Sequence, residues 1–468
     1  MERRDRTALF FRRLKQHNKG ERMIKKIGLL SLVAATSLMA NGYRIPEQSV
    51  NSVALSGADI AHAHTADAAY TNPANMAFME DGQYMEGSLT YIHLTAVDYS
   101  GTVDDALGQP NVANATSKKE NFLLPSLHYV SDAYGDFRFG AFLTVPAGLS
   151  KRWQEGGPSQ LIAEEFSLKV IELNPVVSYK VTNELSVAAG VRMVYSEGVV
   201  KSSGTTLVGV VPAGPLAGES IYQTISRDME GDSLEFGYNL AIAYKPMKAL
   251  SLAATYRSEV DLAEEGTAKL SASEAFALPG GIVTPLGFGT DSYNGNASVT
   301  IPLPAVLSLA GAYTFDNDTT VEFVYERTFW DSYQSLDFQG YSPALGGVLE
   351  VAYDDPKARN WSDTDTYRLG VTHEFNKKWT GMLGYAYDEA PAPSSTVSFE
   401  LPESDAHLFS LGPRYAYNDQ LSVGIAGLYD IKEDITLNQT TATSSTPLQG
   451  EFRNSSAFLL SVGVGYKF

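Results

Sequence analysis

From Tyr84 onward the chain alternates apolar and polar side chains with a period of two, and it does so repeatedly. The last stretch is the clearest. Phe458, Leu460, Val462, Val464, Tyr466 and Phe468 fall on one face of an extended chain, and Ala457, Leu459, Ser461, Gly463, Gly465 and Lys467 on the other. A period of two marks a strand with one apolar face. The pattern predicts strands near 84–99, 121–131, 136–145, 166–181, 185–202, 232–245, 250–265, 298–315, 319–338, 364–375, 379–388, 407–417, 421–435 and 457–468. That is fourteen, an even number, which an antiparallel sheet needs in order to close with both chain ends on one side. Closure has a physical reason, because an open sheet edge in lipid leaves backbone N–H and C=O groups unpaired.

The connections alternate in length. Short turns are expected at 132–135, 182–184, 246–249, 316–318, 376–378 and 418–420, and long loops near 100–120, 146–165, 203–231, 266–297, 339–363, 389–406 and 436–456. Short periplasmic turns and long extracellular loops are the asymmetry of an outer-membrane barrel. The closing aromatic-x-aromatic of the last strand also resembles the terminal signal of such barrels. The expected fold class is therefore all-β, a transmembrane antiparallel barrel spanning 83–468.

Strand parity places the charges. Arg138, Arg192, Arg257, Arg368, Arg414 and Lys467 share the polar parity with Glu172, Glu235, Glu259, Glu322 and Glu374. A cation facing the bilayer midplane costs about 2–4 kcal/mol, so these groups are expected to line the lumen. Pro125, Pro175, Pro302 and Pro304 fall inside strands and remove ladder donors, which predicts bulges or openings in the wall.

Composition narrows the function. The chain has 468 residues, no cysteine, and a formal charge of -19. Without cysteine there is no disulfide scaffold, Cys-ligated zinc site or thiol catalysis. The acidic balance argues against a nucleic-acid partner. Residues 1–22 are polar and basic and read as an extension upstream of the start at Met23. Lys25 and Lys26 followed by the apolar run to Leu38 read as a signal peptide over 23–40, too short to cross a bilayer.

Between that leader and the first strand, 41–82 shows little alternation yet carries Val50, Val53, Leu55, Ile60, Met76 and Phe78. A fourteen-stranded barrel is wider than its own side chains fill, so this segment is expected to fold inward as a plug. His62 and His64 offer two metal ligands without a third, so no metal is expected.

Several motifs carry a resemblance. Gly42-Tyr43-Arg44-Ile45-Pro46-Glu47-Gln48-Ser49, then Ser56-Gly57, then Asn72-Pro73-Ala74, resemble the hatch of the FadL/TodX family of outer-membrane transporters for long-chain fatty acids and other hydrophobic compounds. Tyr256-Arg257-Ser258-Glu259-Val260, Leu303-Pro304-Ala305, Tyr385-Ala386-Tyr387-Asp388 and Pro402-Glu403-Ser404-Asp405 are similar to further family elements in the same order. The resemblance implies a hatch gated at Asn72, Pro73 and Ala74, and a lumenal pocket near Tyr43 and Ile45. It also implies release sideways into the membrane through a gap at a kinked third strand, where Pro146 follows. Arg192 and Arg257 are the expected partners for a ligand carboxylate. One departure matters: where family members commonly carry Arg and an aromatic residue, this chain has Ala406 and His407, which shifts weight toward neutral hydrocarbons.

Two of the long loops are apolar. One carries Leu207, Val208, Val210, Val211, Leu216 and Ile221. The other carries Phe276, Leu278, Ile282, Val283, Leu286 and Phe288. Exposed apolar patches mark binding surfaces, and the resemblance makes them an outer groove that captures ligand. The expected function is facilitated diffusion of long-chain fatty acids or similar hydrophobic compounds. The alternatives are an aromatic or alkane channel, or a hydrophilic porin. The expected partners are a hydrophobic small molecule and outer-membrane lipid, with a monomeric chain and no cofactor. No enzyme is expected, because Ser410 and His407, the nearest approach to a catalytic pair, have opposite parities.

Overall fold

The alternating segments are strands, and each bonds to its neighbours in chain order until the last returns to the first. In the computed structural model, β1 (Tyr84–Leu94), β2 (Glu120–Tyr134), β3 (Phe137–Arg152), β4 (Glu165–Lys180), β5 (Leu185–Val210) and β6 (Ser220–Met247) are continuous. β7 is in two pieces (Leu250–Arg257, Val260–Leu278), as is β8 (Asp291–Leu303, Ala305–Thr314). β9 (Thr319–Phe329), β10 (Thr364–Asn376), β11 (Trp379–Asp388), β12 (Ala406–Ala416), β13 (Leu421–Lys432) and β14 (Ser456–Lys467) complete the wall. Tyr84 on β1 lies opposite both Val130 on β2 and Lys467 on β14, so the sheet is closed. The described residues are 42–105, 108–154, 157–278, 282–285, 291–440 and 447–468. The expected leader 23–40, the stretch before it, and Leu286 and Phe288 lie outside them.

Exposure follows parity. On β6, Leu234, Phe236, Tyr238, Leu240, Ile242 and Tyr244 are between 44% and 54% exposed, while Ser233, Asn239, Ala241 and Ala243 are buried between them. A row of exposed large apolar side chains suits lipid, not water. Above Leu234 the outward residues become Asp232, Glu230 and Asp228, and on β7 Asp261, Glu265 and Lys269. Here the wall leaves the lipid but the ladder continues. Two expected long loops, 203–231 and 266–297, are therefore mostly strand. β5 and β6 stay paired to Val210 and Ser220, and β6 and β7 to Ser220 and Ala277. Cross-strand hydroxyl pairs, Thr205 with Thr224 and Ser226 with Ser271 (2.8 and 2.7 Å), support the extension. A separate four-stranded sheet of Asp98–Asp104, Pro110–Thr116, Ile435–Asn438 and Leu448–Arg453 stands on the long-loop side.

Residues 42–81 lie against the inner faces of the strands. α1 (Val50–Ala54) is capped by Ser49, whose hydroxyl accepts from Ser52 N at 3.0 Å. α2 (Ala68–Thr71) leads to a 3₁₀ turn, Pro73–Phe78, in which Asn72 caps Ala74 N and Pro73 opens the turn. The contact with the wall is close: a Cβ at Gly384 on β11 would stand 2.2 Å from the carbonyl carbon of Leu55.

The inward charges hold this plug by its backbone. Arg138 donates to the carbonyls of Met76, Met79 and Glu80 (2.9, 3.0 and 2.8 Å). Glu322 accepts from the N–H groups of Ile60, Ala61 and His62 (2.8, 2.6 and 3.1 Å). Two charges depart from the lumenal expectation. Glu259 is exposed because it falls in the break of β7, and Glu374 is exposed beside the short turn after β10.

Candidate ligand path and hatch

The upper lumen is lined by rings and aliphatic chains. Tyr43 is buried, and its ring meets those of Trp330, Trp361 and Tyr333 edge-on or tilted at 4.8, 5.9 and 6.2 Å. Its hydroxyl donates to the carbonyl of Pro302, just before the Pro304 break in β8. Burial raises the Tyr43 hydroxyl well above its ordinary range, so it stays neutral. Leu149, Phe166, Leu168 and Ile301 continue this chamber, and Ile45 is buried next in chain. At its polar end Arg359 pairs with Glu400, and Arg227 approaches the same carboxylate at 3.6 Å. Burial alone would raise Glu400, but Arg359 and Arg227 together hold it below the usual carboxylate range. Two guanidiniums thus face one carboxylate, leaving an excess positive charge in an apolar surrounding.

A second cleft adjoins the first and shares Phe166, Leu168 and Ile301 with it. Val200, Met229, Val299 and Phe338 line it on the side of the tall hairpins. Free space is about 30 Å³ in this cleft and about 20 Å³ in the Tyr43 chamber, so the lining side chains themselves fill the path.

Arg192 and Arg257, the expected carboxylate partners, meet Glu172 instead. Arg192 donates to Glu172 at 3.0 Å and to the Ser258 carbonyl, and Arg257 donates to Glu172 at 2.5 Å. The Arg257 guanidinium also lies over the Tyr70 ring at 4.8 Å. Glu172 is fully buried between them, and Arg257 keeps its Nη1 without a hydrogen-bond partner. Both belong to the wall that holds the hatch.

The ladder between β2 and β3 is incomplete. It runs from Tyr134 and Phe137 up to Leu127 and Leu143, and then stops. β3 bulges between Thr144 and Ala147, at Val145 and Pro146, and from Ala147 to Arg152 it pairs with β4 alone. Residues 144–151 are all buried, so the strand has turned inward. Lys118 N rejoins Arg152 O at 2.8 Å and closes the top of the window. Pro125 lies in the stretch of β2 with the open edge, where a missing donor costs least. The start of the hatch fills the inner side. Ile45 N donates to Pro146 O and Gly148 N to Tyr43 O, both at 2.8 Å, around the pair Arg44 and Ala147. Gln48 bridges both backbone groups of Val145 (2.8 and 2.9 Å).

At the other end of the hatch, Asn72 donates to Ile60 O at 2.9 Å, and Ser186 on β5 donates to Ala74 O at 2.6 Å. Asn72 thus braces the plug internally, Pro73 opens its last turn, and Ala74 ties it to the wall. His62 and His64 touch ring to ring at 4.5 Å, and burial, then His64, pushes His62 down to about 3. Among the described residues no group of three His, Asp or Glu is placed to hold a metal ion.

The profile of the family described as outer membrane protein transport protein (OMPP1/FadL/TodX) matches residues 31–468. The chain belongs to this family. A long-chain fatty acid transport protein of Escherichia coli O6:H1 is 26% identical over 409 residues, covering 85% of this chain and 87% of the relative. Outer membrane protein P1 of Haemophilus influenzae is 24% identical over 426 residues, covering 85% and 87%. Among solved structures, a Pseudomonas aeruginosa FadL homologue superposes with a TM-score of 0.73 at 20% identity, covering 91% of this chain and all of that one. The fold of this OMPP1/FadL/TodX member is thus the closed fourteen-stranded barrel, and its place is the bacterial outer membrane.

Within the family frame, Ala406 is fully buried at the start of β12, facing inward, and His407 faces outward beside the Tyr385 hydroxyl at 3.0 Å. Ser410 faces the hatch, donating to Ala54 O at 2.8 Å, so His407 and Ser410 lie on opposite sides of the wall. The apolar hairpin residues divide. Val210 and Leu216 are exposed, whereas Leu207, Val208, Val211 and Ile221 are half-buried. Phe276 and Leu278 lie opposite Thr284 and Ile282, with Val283 between, in a hairpin continuing β7. Sequence reasoning missed Arg227, Arg359 and Glu400. Arg227 shares the inward parity of Met229 and Ser233, so a strand traced above 232 would have found it.

Proposed function

We propose that this protein carries hydrophobic compounds, long-chain fatty acids first among them, through the outer membrane by facilitated diffusion. The tall hairpins of β5–β8 capture ligand. It passes the cleft at Phe166 and Ile301 and enters the Tyr43 chamber, where Arg359 and Arg227 receive a carboxylate. Movement of the first hatch residues away from β3 then opens the window between β2 and β3, and the ligand leaves sideways into lipid. This route spares an acyl chain the polar lower lumen, at about 0.8 kcal/mol for each CH₂ kept from water. No catalytic step is part of it. The observation that carries the reading is the window in the β2–β3 ladder, closed from inside by the segment that also forms the chamber.

The relatives named as fatty-acid transporters support a charged ligand. A neutral ligand is the second reading, favoured by Ala406 and by the likeness to the Pseudomonas putida toluene transporter TodX (TM-score 0.63, 20% identity, covering 92% of this chain). The window is tested by a lock. Arg44 and Ala147 are a pair without mutual hydrogen bonds, the geometry in which cross-strand side chains come closest. The chain has no cysteine of its own, so Arg44→Cys with Ala147→Cys gives one defined cross-link. In vesicles, oleate uptake should fall at least tenfold on oxidation and return on reduction. Equal uptake in the two states would sink the sideways route.

A further inference from the structure

The wall has a second interruption, between β6 and β7. Their ladder runs through Asp232 and Glu265 above and Asn239 and Arg257 below, and between these pairs the strands share one backbone bond, Ser258 N to Tyr238 O at 2.9 Å. Glu264 stands at the upper edge. On the outward face of β7, Asp261 and Glu265 are charged and exposed. The Glu264 side chain points inward, is 3% exposed, and lines the apolar cleft described above.

Glycines make room for it. The side chain crosses β6 at Gly231 and reaches β5 at Gly198, where a Cβ would stand 2.1 Å from Glu264 Oε2. Ser196 hydrogen-bonds the carboxyl, but Oε1 has no partner. Of the other buried glutamates of the lumen wall, Glu172 has Arg192 and Arg257, Glu326 has Arg44 and Arg368, Glu86 has Arg414, and Glu322 has three hatch N–H groups. Around Glu264 the charged neighbours are Asp232 and Glu197, of its own sign. A buried carboxyl without a cation, with one oxygen unsatisfied in an apolar cleft, is costly unless something completes it.

We propose that the cleft beside Glu264 is a binding station for an uncharged hydrophobic ligand carrying one hydrogen-bond donor, a phenol or an aliphatic alcohol, and that Glu264 Oε1 accepts that hydrogen bond. The inference rests on the uptake reading above and names a ligand class for it. A carboxylate brought to the same place meets an acid that has no cation of its own; Asp232 and Glu197 beside it are exposed, Glu197 with Lys169 at 3.7 Å. The cleft therefore favours hydroxylated over anionic ligands before they reach Arg359.

Toluene and p-cresol differ by one hydroxyl and separate the hydrogen bond from the apolar contact. Binding to the full chain in detergent is measured for both and for oleate, with the wild type, Glu264→Gln and Glu264→Leu. Heat-modifiable gel migration confirms a folded barrel in each. The wild type should bind p-cresol about fivefold more tightly than toluene, the worth of one net hydrogen bond. E264Q, which keeps an acceptor, should retain that ratio, and E264L should lose it while toluene still binds. An unchanged ratio in E264L overturns the proposal and leaves the uptake reading standing. Loss of the ratio in both variants overturns it too, since the site would then need an ionised carboxylate. Failure of the wild type to bind toluene, p-cresol or oleate would remove the uptake reading itself, and this proposal with it.

Discussion

The lower and upper halves of the lumen are built on the same strands, yet they treat charge differently. In the lower half the principal charges are balanced. Glu172 has two arginines, Arg414 has Glu86 at 2.8 Å, and Arg138 and Glu322 are satisfied by hatch backbone. In the upper half, rings and aliphatic chains dominate, and beside the pairs Lys432 with Glu403 and Arg152 with Glu120 two places are left out of balance: two arginines on one Glu400, and Glu264 with none. A balanced buried network specifies geometry, because each group is oriented by its partner. An unbalanced one keeps capacity for something else. The difference separates the part of the interior that holds the hatch from the part suited to hold a ligand.

The comparison can be broken most sharply in the lower half. Glu172→Ala leaves Arg192 and Arg257 buried without their carboxylate and should cost about 3–5 kcal/mol in denaturant unfolding. Toluene binding by the molecules that remain folded should hardly change. If instead binding is lost and stability is kept, the assignment of the two halves is reversed.

In the upper half the effects should invert. Arg359→Ala still leaves Glu400 with Arg227 and should spare the barrel. Oleate affinity should fall about tenfold while toluene affinity holds, the loss expected for one charge-assisted hydrogen bond. Equal loss for both ligands would mean that Arg359 shapes the chamber and does not read the carboxylate.

Glu47 lies at the junction of the halves, three residues past Arg44. Its oxygens accept no hydrogen bond, and Arg368 stands 3.5 Å away. Burial raises it to about 7, against the pull of Arg368. A carboxyl raised on folding contributes stability that is fully present below its unfolded value, near 4.5, and lost as pH rises through about 7. The thermal midpoint of the wild type should therefore fall between pH 5 and pH 8, and Glu47→Gln should flatten that slope. A slope unchanged by the substitution would place its origin elsewhere.

The smallest effect is expected at the rim. Val210→Ser with Leu216→Ser changes exposed side chains, so stability should stay within about 0.5 kcal/mol. Initial uptake at low ligand concentration should drop about twofold if these residues begin the capture. An unchanged rate would confine capture to the half-buried residues of the same hairpin.

Much of the wall was legible from alternation alone, and the reason shows where it failed. Period two is visible where one face meets lipid and the other a polar lumen, as from Leu234 to Tyr244. Above Leu234 both faces are polar or mixed, the contrast fades, and strands that continue to Val210 and Leu278 read as loops. The candidate site was legible only where it is local. Tyr43 and Asn72-Pro73-Ala74 sit in one contiguous motif. Arg227, Arg359 and Glu400 come from β6 and from two separate long loops, and nothing in their immediate neighbours announces that they meet.

The sequence alone determined the closed barrel, the segment that plugs it and the sign of each face, because alternation and segment length are local properties that lipid and backbone pairing translate directly into a fold. Only the tertiary structure decided which charges are consumed and which are free. Arg192 and Arg257 looked like ligand partners until Glu172 was found between them, and Glu264, which the sequence did not single out, is buried beside Gly198 and Gly231 without a cation. Charge balance in an interior depends on which side chains converge across distant strands, and that convergence is set by register and closure.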